Sequence, residues 1–263
     1  MSAISSRDNP RVRRWRELTR DAQARRGQGC AMIEGPNLVS ACLNSGHRIR
    51  ELILSKRGAQ RAEFAEIARR SGKAPVVLAD PVFRLIADTE APAGIAAEIA
   101  LPATAPDLKA SAGCVILEGV QEPGNVGAIL RSAAAFGIRD AVLDPACADP
   151  WSPKTLRAGA GAHFSLRIAA GADLAAAIAR FAGTVVCTVP RDGAPIAAAE
   201  IPQRVGWIFG AEGRGVSGTL AALATLRVSI PMDGLAESLN VAAAAAICFY
   251  EARRRLSRPG ARA

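Results

Sequence analysis

Three short blocks in the carboxyl-terminal half of the chain combine glycine or proline with a few polar side chains. They are Asn125–Gly137, Gly206–Gly215 and Ile230–Val241, and each lies in an otherwise apolar, alanine-rich stretch. Glycine permits positive φ angles and close approach of backbone to a ligand. Three such places in one half of a chain predict a site built from backbone atoms, able to hold a ligand with an adenine-like edge.

Each block taken alone has a plain structural explanation. Gly210, Gly213 and Gly215 form G-x-x-G-x-G, which reverses the glycine order of a dinucleotide-binding turn and follows the penultimate strand instead of the first. A tight loop explains that pattern equally well. Ser238 and Asn240 are suited to cap the start of the last helix, and Arg131 is equally well explained as a surface arginine.

The combination resembles the SpoU (TrmH-like) RNA ribose methyltransferases of the SPOUT superfamily, over residues 113 to about 255. The resemblance lies in the order and spacing of the three blocks. The first family motif is matched by Asn125, Gly127, Arg131 and Gly137, the second by Gly210, Glu212, Gly213 and Gly215, and the third, I-P-M-x-G-x-x-x-S-L-N-V, throughout Ile230–Val241. Twelve residues of such agreement make this match highly specific.

The resemblance implies a fold, a cofactor and an assembly. The fold is an α/β domain whose carboxyl-terminal part threads through a loop in a deep trefoil knot, although true knots are nearly absent from proteins. The implied cofactor is S-adenosylmethionine, held in a bent form. Its implied contacts are Gly210, Glu212, Gly215, Ile230, Met232 and Leu239. Family members are homodimers with the site at the subunit interface.

The resemblance also implies the reaction, transfer of a methyl group to a ribose 2′-hydroxyl, and the residues that perform it. Arg131 is expected at the hydroxyl, where a guanidinium stabilises the developing alkoxide better than it accepts a proton. Asn125 and Asn240 would orient Arg131 or the ribose. Glu212 would pair with Arg131 or fix its loop, and Ser238 would donate to the same network.

One segment departs from the family pattern. Relatives often have serine where this chain has Gly159, within Arg157–Ala162. The glycine removes a hydroxyl, so no ligand contact can be transferred to that position.

Positive charge is concentrated at the two ends of the chain. The net charge is +9, and residues 1–30 hold eight arginines against three acidic residues. A second cluster consists of Arg253, Arg254, Arg255, Arg258 and Arg262. Arginine suits bidentate phosphate contacts and stacking on bases, so RNA is the expected partner, although a solvated helix face gives the same composition. The candidate phosphate contacts are Arg11, Arg13, Arg14 and Arg16.

Strands and helices alternate along the chain, which indicates α/β layers. A basic helix is predicted over Pro10–Arg26, and Asn125 is predicted to cap a helix that ends at Gly137. The stretch Leu101–Ser111, with two prolines, is predicted to link two domains. Residues 1–105 resemble the ribosomal-protein-like RNA-binding domain that often precedes the catalytic domain, here residues 106–263.

Several classes of protein fit the sequence poorly. Six scattered cysteines without a CxxC, and only two histidines, predict no metal site. No signal peptide or stretch of transmembrane length is found, so a cytoplasmic location is expected. A ribosomal RNA substrate is favoured, for a housekeeping or a resistance enzyme. A tRNA methyltransferase and a non-catalytic RNA-binding or assembly factor remain alternatives, and a dinucleotide-dependent oxidoreductase is a more distant one.

Overall fold

The chain forms two compact units in a computed structural model, which describes residues 3–234 and 238–256. The first unit comprises Met1–Ala103 and Asp149–Phe164, and the second comprises Thr104–Ala148 and Ser165–Ala263. The sequence predicts a single boundary at residue 105. The two units differ from that prediction at Asp149–Phe164, which lies in the predicted second domain but belongs to the first unit.

The first unit is built on a four-stranded mixed sheet. Its helices are α1 (Pro10–Arg20), α2 (Ala22–Gln28), α3 (Pro36–Asn44), α4 (Ala62–Ser71), α5 (Asp80–Ile86) and, from the inserted segment, α7 (Pro153–Gly159). Its strands are β1 (Cys30–Glu34), β2 (Ile49–Ser55), β3 (Val76–Leu78) and β4 (Ile95–Ala100), in the order β1-β4-β2-β3. Only the β2–β3 pair is parallel.

The prediction of one basic helix over Pro10–Arg26 is wrong, because two helices meet at Asp21. Asp21 has extended backbone angles (φ −114°, ψ 119°), and its carboxylate accepts a hydrogen bond from the Gln23 amide at 2.7 Å. An aspartate in this conformation is a favoured N-cap, so it ends α1 and begins α2. Helix α1 buries Val12, Trp15 and Leu18 in the core of the first unit.

The inserted segment is held to the first unit by charges and aromatic rings. Arg25 and Asp149 form an ion pair at 2.6 Å, with both side chains largely buried. Arg157 pairs with Asp88 at 2.5 Å. The ring of Phe164, at the end of the segment, lies 5.2 Å from that of His47.

The second unit is a seven-stranded sheet in which every pair is parallel. Its strands are β5 (Gly113–Glu118), β6 (Asp140–Leu143), β7 (Arg167–Ala170), β8 (Thr184–Thr188), β9 (Ala194–Pro195), β10 (Val205–Gly210) and β11 (Leu226–Ser229). The order is β7-β6-β5-β10-β8-β11-β9. Its helices are α6 (Pro123–Ala135), α8 (Leu174–Arg180), α9 (Gly218–Leu223) and α10 (Val241–Leu256). The α/β prediction is confirmed.

Strands buried on both faces form the centre of this sheet. Every residue of β10 is buried, and Trp207 and Phe209 pack against Phe249 of α10. Near-continuous apolar strands are typical of parallel sheets covered by helices on both sides. Helix α10 also packs along α6, so these two helices cover one side of the sheet. In the part of the chain that the structure describes, no helix is long and apolar enough to cross a membrane.

Helix α6 begins three residues earlier than predicted. Its N-cap is Glu122, whose carboxylate accepts from the Gly124 amide at 3.3 Å, and Pro123 follows in the first turn. The prediction that Asn125 caps this helix is therefore wrong. Asn125 lies inside the first turn, and its side chain is available for other contacts. The predicted end holds, since Gly137 follows the helix at φ 87°.

Candidate functional site

A cavity of the second unit lies at the carboxyl ends of three neighbouring strands. Thr188 ends β8, Gly210 ends β10, and Val228 lies near the end of β11. The cavity has a volume of about 600 Å³. Ligands of open α/β sheets characteristically bind at this edge, and the volume suits a nucleoside-sized molecule.

A tight glycine loop forms one wall. A Cβ atom on Gly210 would overlap the carbonyl group of Gly215, so only glycine fits there. Ala211 and Gly215 form an isolated bridge, and the Gly215 amide donates to the Ala211 carbonyl at 2.8 Å. Gly213 and Gly215 have φ angles of 82° and 67°. These positive angles favour glycine, so the second motif is glycine-rich because its loop closes tightly.

A polar network joins the three sequence blocks. The side-chain amide of Asn125 donates to Glu212 Oε1. Asn240 Nδ2 donates to Asn125 Oδ1 at 3.0 Å. Asn240 Oδ1 also accepts from the Ala242 and Ala243 amides at 2.9 and 3.2 Å, so the residue caps α10 while it belongs to the network. The capping explanation and the functional one are thus compatible.

Most of the predicted site residues meet at this cavity. All six residues predicted to contact the cofactor line it, one of which, Glu212, is also a predicted catalytic residue, and two further predicted catalytic residues line it as well. They are Gly210, Glu212, Gly215, Ile230, Met232 and Leu239, together with Ser238 and Asn240. Asn125 reaches the wall through its bond to Glu212. Leu235, Ala236 and Glu237, within the third block, lie outside the described residues.

Arg131 does not lie on the cavity wall of its own chain. It is exposed, and within residues 3–234 and 238–256 it has no hydrogen-bond or ion-pair partner. It lies six positions after Asn125 on α6, about 9 Å along the helix axis. The suggested pairing of Glu212 with Arg131 is not seen, because Glu212 accepts from Asn125 instead.

Several wall residues lie outside the set predicted from the sequence. Thr188, the last residue of β8, lines the cavity with Val189 and Pro190, which follow it, and so does Arg214 within the glycine loop. Glu118, at the end of β5, accepts from the Ser217 amide at 2.7 Å and anchors the far end of that loop. Arg214 stands inside the second motif, so its charge beside glycine was a usable signal. Thr188 and Glu118 had no such signal in the sequence, because only the order of the strands in the sheet brings them to the site.

Cysteine chemistry and metal binding have no support in the described residues. Burial raises the pKa of Cys187 to about 11 and that of Cys248 to about 12, which makes both thiols poor nucleophiles. No group of three or more histidine, cysteine or acidic side chains suited to a metal ion occurs among the described positions. Gly159, where the chain departs from the family pattern, is buried in α7 of the first unit.

The four arginines predicted to contact phosphate occupy different environments. The guanidinium of Arg14 binds the buried Glu98 carboxylate at 2.7 and 2.8 Å and the Gln28 side chain at 2.8 Å, so it is committed inside the fold. Arg11 pairs with Glu51 at 2.7 Å, and Arg13 with Asp8 at 3.2 Å. Arg16 is exposed and has no such partner in the described part of the chain.

The second arginine cluster is also partly committed. Arg254 and Arg255 bind Glu251 at 2.7 and 3.0 Å, and the hydrogen bonds from these guanidinium groups lower the pKa of that carboxyl to about 2. Arg255 also donates to the Ile196 carbonyl at 2.6 Å. Arg258 and Arg262 lie outside the described residues.

The second unit is a parallel α/β fold with a glycine-walled cavity at the ends of its strands. This arrangement is typical of proteins that bind a small ligand. The SpoU rRNA methylase family matches residues 113–250, and the MRM3-like substrate-binding domain matches residues 9–97. The chain belongs to the SpoU family of RNA methyltransferases, as the three sequence blocks predict.

Relatives match along nearly the whole chain. The Bacillus subtilis 23S rRNA (guanosine(2553)-2′-O)-methyltransferase RlmP is 31% identical over 96% of this chain and 100% of its own length. The Streptomyces viridochromogenes 23S rRNA (uridine(2479)-2′-O)-methyltransferase is 29% identical over 97% of this chain and 93% of its own. The crystal structure of the SpoU methyltransferase AviRb from that organism, in complex with the cofactor AdoMet, has a TM-score of 0.85 and 27% identity, covering 95% of this chain and 100% of that one.

Proposed function

We propose that this protein transfers a methyl group from S-adenosylmethionine to a ribose 2′-hydroxyl of ribosomal RNA. The observation that carries the proposal is that a cavity and a polar network lie side by side. A cavity of about 600 Å³ is walled by glycine backbone, and the Asn125–Glu212–Asn240 network lies beside it. Membership of the SpoU family supports the reaction, and the two relatives named for 23S rRNA support the substrate class.

The cavity residues fit S-adenosylmethionine. Gly210 leaves room where any Cβ would overlap Gly215, and Ile230, Met232 and Leu239 supply apolar surface and backbone groups around it. When bound, the sulfonium supplies an already activated methyl group. The protein therefore has to align the acceptor oxygen and manage its proton, and alignment alone lowers such barriers substantially.

Asn125, Asn240 and Ser238 are proposed to orient the ribose, and Arg131 to stabilise the charge on its 2′-oxygen. A guanidinium keeps its proton at physiological pH, so it favours the alkoxide electrostatically while water or an RNA phosphate takes the proton. Glu212 fixes the side-chain amide of Asn125 by accepting from it. Asn240 is fixed in turn by the two α10 amides that donate to its oxygen.

Because Arg131 lies off the wall of its own chain's cavity, we propose that it acts in a homodimer, at the cavity of a second copy. Two features of the surface support this assembly. Ile247 and Tyr250 on α10 are 39% and 56% exposed, unusually open for large apolar side chains. Tyr250 lies against Phe136, just beyond α6, the helix that carries Arg131.

The finer architecture belongs to the same proposal. Residues 1–105 would bind the substrate RNA and residues 106–263 would catalyse, in line with the MRM3-like match to residues 9–97. The carboxyl-terminal part would form the deep trefoil knot that the family resemblance implies, and a crystal structure with an unthreaded chain would contradict it. A cytoplasmic location belongs to the same proposal.

The decisive experiment maps where the label goes. The protein is incubated with S-adenosylmethionine labelled on its methyl group and with total RNA, and the labelled molecule and nucleotide are identified. Label on a 2′-oxygen of ribosomal RNA supports the proposal. Label confined to tRNA favours the tRNA alternative, and RNA binding without transfer favours a non-catalytic assembly factor.

Substitution of Arg131 tests its role in that reaction. Arg131→Ala should abolish turnover, because the alkoxide loses its stabilising charge, and should leave the affinity for S-adenosylhomocysteine nearly intact. Single-turnover rates and calorimetry measure the two quantities. Methylation by Arg131→Ala at the wild-type rate would disprove the assignment.

A further inference from the structure

One basic side chain on the cavity wall has no role in the site described so far. Among the described residues that line the cavity, Arg214 is the single cation and Glu212 the single acid. Glu212 is engaged by Asn125. Arg214 is exposed, and no acidic side chain or carbonyl in the described part of the chain pairs with it. A cation left open at the mouth of a cavity is available to an anionic ligand arriving from solvent.

The backbone beneath Arg214 is closely held, so its position is defined. The flanking residues Gly213 and Gly215 have positive φ angles, and the bridge from Ala211 to Gly215 closes the loop on either side. Glu118 binds the Ser217 amide at 2.7 Å and fixes the loop's exit. An arginine on a backbone that is held in this way loses less conformational entropy when it binds a ligand than an arginine on a mobile loop.

Arg214 also lies beside the groups proposed to hold the acceptor ribose. It is two residues from Glu212 at the tip of the same loop, so their α-carbons are at most about 7 Å apart. Through Asn125, Glu212 connects to Asn240. Every internal ribose of RNA carries a phosphate on the carbon next to the one with the 2′-hydroxyl. A ribose seated at this network therefore brings a phosphate to the mouth of the cavity.

We propose that Arg214 binds the RNA phosphate adjoining the target ribose and so positions the 2′-oxygen against the methyl donor. The inference rests on the proposed function and assigns a substrate contact outside the predicted set. The planar guanidinium matches phosphate geometry with two parallel hydrogen bonds. Because the charge is exposed at the mouth, we assign it to the polyanion and not to the carboxylate of the donor.

The test compares Arg214→Gln with the wild type in three measurements. The KM for RNA should rise roughly tenfold, as expected for one charge-assisted contact. The slope of log affinity for RNA against log salt should fall by about one. The affinity for S-adenosylhomocysteine should stay unchanged. Arg214→Lys should recover only part of the lost RNA binding. An ammonium group keeps the positive charge but cannot donate the two parallel hydrogen bonds of a guanidinium.

Arg180→Gln is the matched control, because it removes an exposed arginine of the same unit from the end of α8, away from the cavity wall. It should leave all three quantities unchanged. Weaker binding of S-adenosylhomocysteine with unchanged binding of methylthioadenosine, which lacks the carboxylate, would overturn the proposal and assign Arg214 to the donor. Unchanged RNA binding would also overturn it. A wild-type protein that binds RNA and methylates none would defeat the proposed function instead, since the RNA-affinity comparison does not need turnover.

Discussion

At the scale of single residues, the arginines of α1 look alike in sequence and differ in what they contact. Arg14 neutralises Glu98, which is buried and also accepts from the Trp15 indole at 3.0 Å. Arg16, two positions on, is exposed. Burial of a carboxylate requires a partner, so one of these arginines serves the fold and the other is available to RNA.

Paired substitutions should separate these roles. Arg14→Ala leaves Glu98 without its main partner and should lower the free energy of unfolding by roughly 2 kcal/mol. Arg16→Ala should leave stability unchanged while lowering RNA affinity and the salt slope. Urea unfolding and RNA titration at several salt concentrations measure both effects. Equal stability of the two variants would refute the distinction.

The buried histidine predicts how stability depends on pH. Burial lowers the pKa of His163 from 6.5 to about 4. Below pH 6.5 the unfolded chain binds a proton at this position that the folded chain does not, so stability falls as pH drops from about 6.5 to about 4. The full loss from this group is about 3 kcal/mol. His163→Phe, which cannot titrate, should flatten this part of the profile.

Chemical denaturation at pH 7 and pH 4.5 measures that difference. His47→Gln is the control, since His47 is only partly buried and its Nδ1 is 2.9 Å from the Ser45 hydroxyl. The control should keep the wild-type slope. A His163→Phe profile parallel to the wild type would show that other groups carry the pH dependence.

At the scale of elements, the glycine loop and α6 show how local geometry builds the site. The loop needs Gly210 because the chain returns over it at Gly215. Helix α6 begins at Pro123, which places Asn125 in the first turn with its side chain directed to Glu212 and Asn240. Had Asn125 capped the helix, its side-chain oxygen would bind backbone amides of its own helix instead.

A glycine-to-alanine pair tests the loop. Gly210→Ala should displace the loop and weaken binding of S-adenosylhomocysteine roughly tenfold or more, because the added methyl group overlaps Gly215. Gly218→Ala adds a methyl group with no atom within 4 Å, in the first turn of α9, and should be neutral or slightly stabilising. Calorimetry and thermal unfolding compare the two. Wild-type donor binding by Gly210→Ala would show that the loop tolerates the change.

At the scale of the whole molecule, the proposed role of Arg131 requires an assembly that brings it to the cavity of a second copy. Mixing subunits tests this role. At a donor concentration too low to fill the altered Gly210→Ala cavity, Arg131→Ala and Gly210→Ala should each be inactive alone and should regain about a quarter of wild-type activity when equal amounts are unfolded and refolded together. Half of the dimers are then mixed, and each mixed dimer has one complete site. If Arg131 served its own chain's cavity, the mixture would stay inactive.

Much of the architecture could be predicted from local pattern and motif order. Alternating strands and helices gave the α/β class, because short apolar strands between turn residues carry strong local signals. The predicted cofactor residues share one wall. The break at Asp21 was missed because an aspartate inside a basic, helix-favouring stretch gives only a weak sequence signal.

The sequence by itself determined the family, the reaction class and many of the residues at the cavity, since those depend on residue types at fixed spacing. Tertiary structure alone decided which charges are free. Arg14 binds Glu98, Arg255 donates to the Ile196 carbonyl, and Arg214 is exposed at the cavity mouth. Tertiary structure also placed Asp149–Phe164 in the first unit. The physical reason is that burial and pairing depend on neighbours distant in sequence, which spacing along the chain does not encode.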